Sequence, residues 1–355
     1  MTLVSKTSSF RVVAESLDNA RDEATALLNA TRRGTVDAAR ADWLYCRNPD
    51  GHAVLWAIRR VETGEMAGFT VALPRRVVVD GEVRTCWNGA DFSILPKYRT
   101  LGLAMKLRRA AKEGVDGGRV DFLYAHPNER MAVIHAKVGH QPVGRVFRYA
   151  KPLRAGPYLR GRLKREALTA TAIWLIDPLL RLGSREWRHR TSSDVRLVGS
   201  PKFDERYDRL FDESARCARV VGVRDGRYLN WRYAENPLYE THALEAREGN
   251  RLRGYLLFRV EGESASIKDV FPPTDESVAR DLTAGMIREG RRRGLKSLSI
   301  ATLEGNPLDP RFAEFGFRRR PESSEMFAYA SPGCPWRDVV LDKQSWFVTV
   351  GDRDV

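Results

Sequence analysis

The sequence has few cysteines, and they form no recognisable pattern. Its 355 residues include four that lie far apart and form no C-x-x-C pair: Cys46, Cys86, Cys217 and Cys334. This spacing argues against a disulfide framework and against a zinc site, and it favours a reducing compartment. We therefore expect no bound metal.

Long apolar runs are also missing. No stretch reaches the ~18 uncharged residues that a membrane-spanning helix needs. Residues 1–10 lack the apolar segment of a secretory signal. The sequence thus predicts a cytoplasmic protein, of bacterial type by default.

Lysine is scarce in a chain that is otherwise strongly basic. Only 11 of the 60 basic residues are lysine, and the net charge is +14. The excess is concentrated between Arg145 and Arg190, where 12 basic residues accompany three acidic ones. A field of this sign attracts phosphates, anionic lipid headgroups or an acidic protein partner.

The chain contains an internal repeat. The pattern W-x-Y-x-x-N-P occurs at Trp43–Pro49 and again at Trp231–Pro237. Three further features follow each copy in the same order, at offsets of 176 to 188 residues, and each is marked by a glycine: Gly68 and Gly254, Gly118 and Gly294, Gly139 and Gly316. A period of this length indicates a duplicated domain. Because both copies keep the aromatic motif, we expect it to fix a loop against the core.

Each half predicts strands and helices in mixed order around one sheet, which is a mixed α/β (α+β) fold class. In the first half the predicted strands are 53–61, 66–73, 75–80, 83–95 and 121–125, and the predicted helices are 102–114 and 129–138. We expect two domains, 1–150 and 201–355, joined by a basic, partly apolar helical connector over 151–200. Its apolar segment, 161–183, fits either a helix packed across both domains, which we favour, or one lying on the inner face of an anionic membrane.

A short basic loop, Ile94 to Ala104, leads from a strand into a helix. Gly102 permits close backbone approach there, and the first free amides of the helix point toward the loop. With Lys97 and Arg99 added, the loop could hold a pyrophosphate. The residues alone leave two interpretations open, an anion site and an ordinary strand-to-helix turn.

This loop is similar to the acyl-CoA signature of the GNAT acyltransferase superfamily, (Q/R)-x-x-G-x-(G/A). Arg99, Gly102 and Ala104 stand at its three fixed positions. Downstream, Asn128 and the helix ending in Lys137-Val138-Gly139-His140 resemble the second conserved region of that family. The chain therefore resembles a tandem GNAT protein, with a central mixed, mostly antiparallel sheet flanked by helices in each domain.

The resemblance implies that the first half binds acetyl-CoA or another acyl-CoA as co-substrate. The pantetheine arm would lie in a gap between the strand ending at Leu95 and the strand 121–125, and the pyrophosphate would lie on the loop. The residues assigned to the cofactor are Ile94, Leu95, Lys97, Arg99, Thr100, Leu101, Gly102, Leu103, Ala104 and Asn128. In the second half the matching segment contains Pro272, Pro273, Asp275 and Glu276. The two prolines have no amide N–H to offer a pyrophosphate, and the two acidic residues repel it. The second domain is therefore expected to be a degenerate copy that binds no CoA.

Direct attack on a thioester needs a proton acceptor and a proton donor. His135 stands where the family often places a catalytic tyrosine, so it is the candidate acid, and Asp91 is the candidate base. The alternatives are a partly buried helix histidine without chemistry and an edge carboxylate paired with a nearby arginine. Tyr124 and His126 flank the same gap and are alternatives for either role.

The predicted function is an acyl-CoA-dependent N-acyltransferase, with acetyl as the expected group and an amine of a small metabolite or sugar as acceptor. Two alternatives stay open: an aminoacyl-tRNA-dependent transferase of the FemABX type, and a catalytically inactive acyl-CoA-binding or membrane-associated adaptor. The basic stretch 145–190 also suits an acidic acyl carrier protein as donor, or an anionic membrane surface. Nucleic acid is not an expected partner outside the FemABX alternative.

Overall fold

The computed structural model describes residues 9–32, 35–99, 102–154 and 184–353. Thr100, Leu101 and the apolar segment 161–183 of the predicted connector lie outside these ranges. We call residues 9–154 the first half and residues 184–353 the second half.

The strands are β1 Phe10–Glu15, β2 Val54–Arg60, β3 Met66–Val79, β4 Glu82–Ile94, β5 Phe122–Ala125, β6 Gln141–Pro152, β7 Asp194–Gly199, β8 Val220–Gly222, β9 His242–Glu248, β10 Arg251–Glu261, β11 Ser264–Phe271, β12 Ser297–Leu303, β13 Arg318–Ala330 and β14 Trp346–Phe347. The helices are α1 Leu17–Thr31, α2 Ala38–Cys46, α3 Leu103–Asp116, α4 Glu129–Lys137, α5 Glu205–Ser214, α6 Gly226–Leu229, α7 Glu276–Arg292, α8 Asp309–Glu314 and α9 Arg337–Leu341.

One continuous mixed sheet runs through the described molecule. Its strand order is β1-β2-β3-β4-β5-β13-β6-β12-β11-β10-β9-β7, and β8 is added beside β3 with β14 next to it. Along the main order the neighbours are antiparallel except for β4 with β5 and β11 with β12. Helices flank both faces, because Asp91 of β4 contacts α2 while the next residue, Phe92, lies under Arg108 of α3. The predicted mixed α/β fold class is confirmed.

Local patterning explains the elements that border the gap. In α3 the buried residues Leu103, Leu107, Ala111 and Val115 follow each other every fourth position, so a single apolar stripe faces the sheet. β3 is one strand, whereas the sequence predicted two strands separated at Pro74. Pro74 is tolerated because β2 pairs with β3 only to Ala72 and β8 pairs with it only from Val77. The missing N–H therefore falls where that side of β3 has no neighbouring strand.

The two halves exchange one long strand each. β6, the last strand of the first half, pairs with β12, and β13 of the second half pairs with β5. The exchanged strands also pair with each other at the centre of the sheet. The predicted domain boundaries stay a prediction, but the pairing shows that each half completes its sheet with a strand of the other.

The repeated aromatic motif lies where the halves meet. The indole Nε1 of Trp43 donates to the carbonyl oxygen of Trp231 at 2.7 Å, and Nε1 of Trp231 donates to the carbonyl oxygen of Trp43 at 2.9 Å. The two buried rings are stacked with centroids 5.3 Å apart. The contact is reciprocal, like an isologous interface between identical subunits. It is therefore a structural contact between the halves.

Replacing Trp43 with phenylalanine should lower the free energy of unfolding by about 1–3 kcal/mol, because the buried carbonyl of Trp231 loses its donor. Trp231→Phe should have a similar effect, since the contact is reciprocal. Urea denaturation measures both. The control is Trp187→Phe at a 61% exposed side chain. Equal stability of all three variants would show that the reciprocal bonds contribute nothing.

Candidate functional site

A gap opens in the sheet between β4 and β5. The two parallel strands pair only from Cys86 and Phe122 to Gly89 and Ala125. β4 then continues to Ile94 along β3, while the chain beyond β5 turns away into α4. Among the described residues, the last part of β4 therefore has no strand paired on its β5 side. This is the gap in which the resemblance to the GNAT superfamily implies that the pantetheine arm lies.

The amino-terminal end of α3 lies directly after β4. Gly102 precedes the helix with a φ of +69°, a backbone conformation that other residues adopt only with strain. Arg99 is exposed and its Nε donates to the carbonyl oxygen of Ile94 at 3.1 Å. Lys97 is also exposed and contacts Glu65, with Nζ 2.7 Å from Oε1. Lys97 and Arg99 thus place positive charge beside the amino-terminal end of α3, an arrangement that suits a bound anion.

The other residues assigned to the cofactor lie in different environments. The amide of Leu95 donates to the carbonyl oxygen of Ala67 at 2.9 Å, so its N–H is used within the sheet. Leu103, the first residue of α3, is buried, and Ala104 is half-buried. The side chain of Asn128 accepts from the amide of Met131 at 3.0 Å and caps α4. The cofactor roles of these residues stay a prediction.

Asp91 is buried beneath α1 and α2. Its carboxylate contacts Arg40 at 2.7 Å and Arg32 at 2.8 Å, and it accepts from the hydroxyl of Tyr45 at 2.6 Å. Burial opposes ionisation, but the two guanidinium groups outweigh it and hold the pKa of Asp91 below its ordinary value. A carboxylate with three donors is a poor proton acceptor, so this geometry favours a structural role over the predicted base role.

The second half repeats this arrangement without the loop signature. β4 bulges at Ala90 and Asp91, and β11 bulges at Lys268, immediately before the buried Asp269. The carboxylate of Asp269 accepts from Nε of Arg224 at 3.0 Å. An aspartate–arginine pair next to a bulge thus occurs in both halves. Its presence in the half without the cradle supports the structural interpretation of Asp91.

His135, the candidate acid, is 1% exposed on α4. Its Nδ1 lies 2.8 Å from Nδ1 of His140, so one ring donates to the other and both are neutral. Burial and then the charge of Arg108 lower the pKa of each histidine, that of His140 to about 3. Only Nε2 of His135 can therefore serve in proton transfer. Its catalytic role stays a prediction.

Tyr124 and Asn88 meet the end of the chain. On the face of the sheet opposite α3, the hydroxyl of Tyr124 donates to the carbonyl oxygen of Asp352 at 2.8 Å. The side-chain amide of Asn88 donates to the same oxygen at 3.3 Å. Burial raises the pKa of Tyr124 well above its ordinary value. Sequence reasoning placed Tyr124 at the gap but missed Asp352, which lies more than 200 positions further along.

His126 follows β5 at the point where the gap opens. Its side chain is 9% exposed, and neither ring nitrogen has a hydrogen-bond partner among the described residues. Burial, and then the nearby cation of Arg353, lower the pKa of His126 to about 3. The ring is therefore neutral near pH 7 and keeps a free lone pair. A buried polar group without a partner is costly, which is typical of a position that a ligand completes.

The corresponding gap in the second half is covered by the protein itself. β11 and β12 pair only from Ser264 and Ser297 to Ser266 and Ser299, and the turn Val350–Asp352 lies against both strands. At α7 the side chain of Asp275 accepts from the amide of Val278 at 3.2 Å. A carboxylate of the chain thus occupies the helix end where a phosphate would bind, in agreement with the expected degeneracy.

Acid should destabilise the protein through these histidines. The pKa values of His126 and His140 fall from about 6.5 in the unfolded chain to about 3 in the folded one. The unfolded state thus binds more protons between these values, and stability that is present above pH 6.5 is lost as the pH falls toward 3. Each histidine contributes a slope of about 1.4 kcal/mol per pH unit. Denaturation curves at several pH values measure it.

The slope of the free energy of unfolding against pH should be smaller in His126→Gln by the contribution of one histidine. It should not change in the control His52→Gln, at an exposed side chain. An unaltered slope in His126→Gln would contradict a neutral, buried ring at this position.

No protein-family model matches the chain, and no curated protein matches its sequence. Its structure is nevertheless similar to solved acyltransferase structures. A GCN5-related N-acetyltransferase from Anabaena variabilis aligns with a TM-score of 0.62 at 12% identity, over 90% of this chain and 72% of that one. A GCN5-related N-acetyltransferase from Kribbella flavida aligns with a TM-score of 0.60 at 14% identity, over 92% of this chain and 72% of that one. Saccharomyces cerevisiae N-myristoyltransferase with bound myristoyl-CoA aligns with a TM-score of 0.58 at 10% identity, over 94% of this chain and 81% of that one. The resemblance seen in the sequence is confirmed for the fold: this chain has the GNAT fold.

Proposed function

We propose that the protein is an acyl-CoA-dependent N-acyltransferase whose donor binds in the first half. One observation carries the proposal: the β4–β5 gap leads directly to the glycine-capped, cation-flanked end of α3. A thioester with a long polar arm and a pyrophosphate fits a gap that ends in an anion site. In the second half the turn Val350–Asp352 lies against the strands of the equivalent gap, and Asp275 caps the equivalent helix end.

The chemistry is direct transfer. The acceptor nitrogen attacks the thioester carbon, the bond between that carbon and sulfur breaks, and CoA leaves as a thiolate that takes up a proton. The attacking nitrogen must lose a proton, and we assign its acceptor as His126, which has a free lone pair beside the gap. Tyr124 and His135 stay the candidates for the proton donor.

The acceptor is proposed to be an amine of a small metabolite or sugar. Acetyl is the expected acyl group, but a neighbour that holds myristoyl-CoA makes chain length a question for experiment. Within the described ranges, no helix is long and apolar enough to cross a bilayer. Cytoplasmic location, association with the inner membrane face and an acidic carrier protein as donor stay predictions.

Gly102→Glu should weaken acyl-CoA binding by about 30-fold or more, because a carboxylate at the end of α3 repels the pyrophosphate. Calorimetry with acetyl-, octanoyl- and myristoyl-CoA measures the affinity and the preferred chain length. The matched control is Gly262→Glu, at a turn glycine that also has a positive φ. An added Cβ meets no atom within 4 Å at Gly262, and at Gly102 it lies 3.8 Å from the end of the Met105 side chain.

Loss of binding in Gly102→Glu alone would support the first-half site. Equal loss in both variants would mean backbone strain, and no binding of any acyl-CoA by the wild type would exclude the proposal. The FemABX and carrier-protein alternatives would then be the ones to test.

His126→Gln should lower kcat by about 10²–10⁴-fold while the Kd for acyl-CoA stays the same, because the variant loses the proton acceptor but not the donor site. Steady-state kinetics with the amine found in an acceptor screen measure the effect. His52→Gln is the control, and Asp91→Asn and His135→Gln are measured in parallel.

An unchanged kcat in His126→Gln would contradict the assignment of His126. If Asp91→Asn alone lost kcat at unchanged stability, Asp91 would be the base. An acyl-CoA complex without turnover for any acceptor in the screen would favour the adaptor alternative.

A further inference from the structure

Residues 184–193, which we call the basic strip, are fixed along the outside of α7. Nη2 of Arg288 donates to the carbonyl oxygens of Glu186 and His189 at 2.6 and 2.8 Å. Nearer the amino-terminal end of the helix, Oδ1 of the buried Asp281 lies 2.7 Å from Nε2 of His189. Side chains of one helix therefore hold the basic strip in a defined conformation.

The side chains that the basic strip presents to solvent are one aromatic and three cations. Its single acidic residue, Glu186, is 0% exposed and contacts Arg291 at 2.9 Å. Trp187 is 61% exposed, and no other aromatic side chain is among the exposed large apolar ones of the described residues. The exposed residues are Arg185, Trp187, Arg188 and Arg190. An indole between guanidinium groups thus lies on a rigid part of the surface.

The chain over 155–183, which lies outside the described ranges, begins and ends at one place. Nη1 of Arg291 donates to the carbonyl oxygen of Leu153 at 3.0 Å, and Nη2 donates to the hydroxyl oxygen of Ser184 at 3.0 Å. The end of β6 and the start of the basic strip therefore meet at a single guanidinium. Residues 155–183 are not needed to span a distance between the two halves.

The sequence over 155–183 is both apolar and basic. It contains the uncharged run 172–176, which includes a tryptophan, and it has five basic residues against two acidic ones. An apolar segment bordered by arginines suits the boundary between lipid headgroups and acyl chains. The surface of an acidic soluble protein would match only its charge. The sequence that joins the basic strip therefore favours a lipid surface as the partner.

Further cations surround the start of the basic strip. Arg154 is exposed, and its amide donates to the carbonyl oxygen of Lys296 at 3.4 Å. Arg292, the last residue of α7, has a side chain that is 66% exposed. Among the described residues, the acids that contact Arg185, Arg292 and Lys296 are Glu314, Glu289 and Glu263. Basic residues outnumber acidic ones here, so the end of α7 and the strip form one positive surface.

We propose that the basic strip binds an anionic membrane surface. Trp187 would lie at the level of the headgroups, where indole rings are enriched in membrane proteins. Arg188 and Arg190 would bind lipid phosphates, which the planar guanidinium fork matches. Because α7 already fixes the strip, little conformational freedom is lost on binding. This proposal does not depend on the proposed acyl transfer.

Co-sedimentation with lipid vesicles tests the inference. Vesicles of phosphatidylcholine are compared with vesicles made of equal parts of phosphatidylcholine and phosphatidylglycerol. The wild type should bind the anionic vesicles at least about tenfold more tightly, and added salt should reduce this preference because it screens the charges. The assay contains no acyl-CoA, so failure here would leave the acyl-transfer function unaffected.

Charge removal on the basic strip should weaken the binding. Arg188→Gln combined with Arg190→Gln should lower the affinity for anionic vesicles by about 25-fold, since each arginine near such a surface contributes about fivefold. Trp187→Ser should lower it by about tenfold, because serine cannot occupy the headgroup region as an indole does. All three side chains are exposed, so the melting temperature should stay that of the wild type.

The matched controls carry the same kinds of change on other surfaces. Arg209→Gln combined with Arg216→Gln removes two exposed cations at α5. This helix lies on the other face of the sheet, because it packs on Tyr255 of β10 whereas α7 packs at the preceding residue, Gly254. Val83→Ser removes an apolar side chain that is 60% exposed. These controls should bind anionic vesicles like the wild type.

Equal binding to both kinds of vesicle, or no binding to either, would overturn the proposal, and an acidic carrier protein would then be the partner to test for this surface. An equal loss in the double-arginine variant and in its control would overturn it as well, because net charge alone would explain the binding. Wild-type affinity in both strip variants would place the contact elsewhere on the chain and would also exclude the basic strip.

Discussion

The insertion of β13 between β5 and β6 is the constraint on which the rest of the structure depends. It joins the two halves into one sheet, and it sets the shape of the gap. β5 is paired to β4 along one side, and on its other side β13 pairs with it from Phe122 to Ala125. A strand of the second half therefore fixes the direction in which β5 leaves β4. The proposed acyl-CoA site belongs to the first half in sequence but to both halves in structure.

Two halves with the same elements have become chemically different through few residues. Both contain the tryptophan of the reciprocal pair, a bulged strand and an aspartate bound to a buried arginine, as at Asp91 and Asp269. The first half keeps a glycine and two exposed cations, Lys97 and Arg99, at the end of its helix. The second half has a carboxylate, Asp275, at that end and a turn of the chain across its gap.

Local patterns were sufficient to predict the elements around the gap. The helix predicted over 102–114 is α3, and the strand predicted over 83–95 is β4, because their apolar periodicity is continuous. Strand exchange could not be predicted, since a strand shows the same alternation whichever strand it pairs with. The identity of the arginines that bind Asp91 was also hidden, because they come from helices whose sequence does not show which side chains point inward. For His126 the deciding neighbours lie at the far end of the chain, near Arg353.

The exchange of strands also determines when the molecule can fold. β5 and its partner in β13 are about 200 residues apart in the chain, so the pairing that closes the sheet is non-local and slow to form. During synthesis the first half leaves the ribosome while the outer side of β5 is still unpaired. Such an edge is a template for association with other chains. A chain that stops before β13 therefore exposes an open sheet edge and is not a smaller version of the same fold.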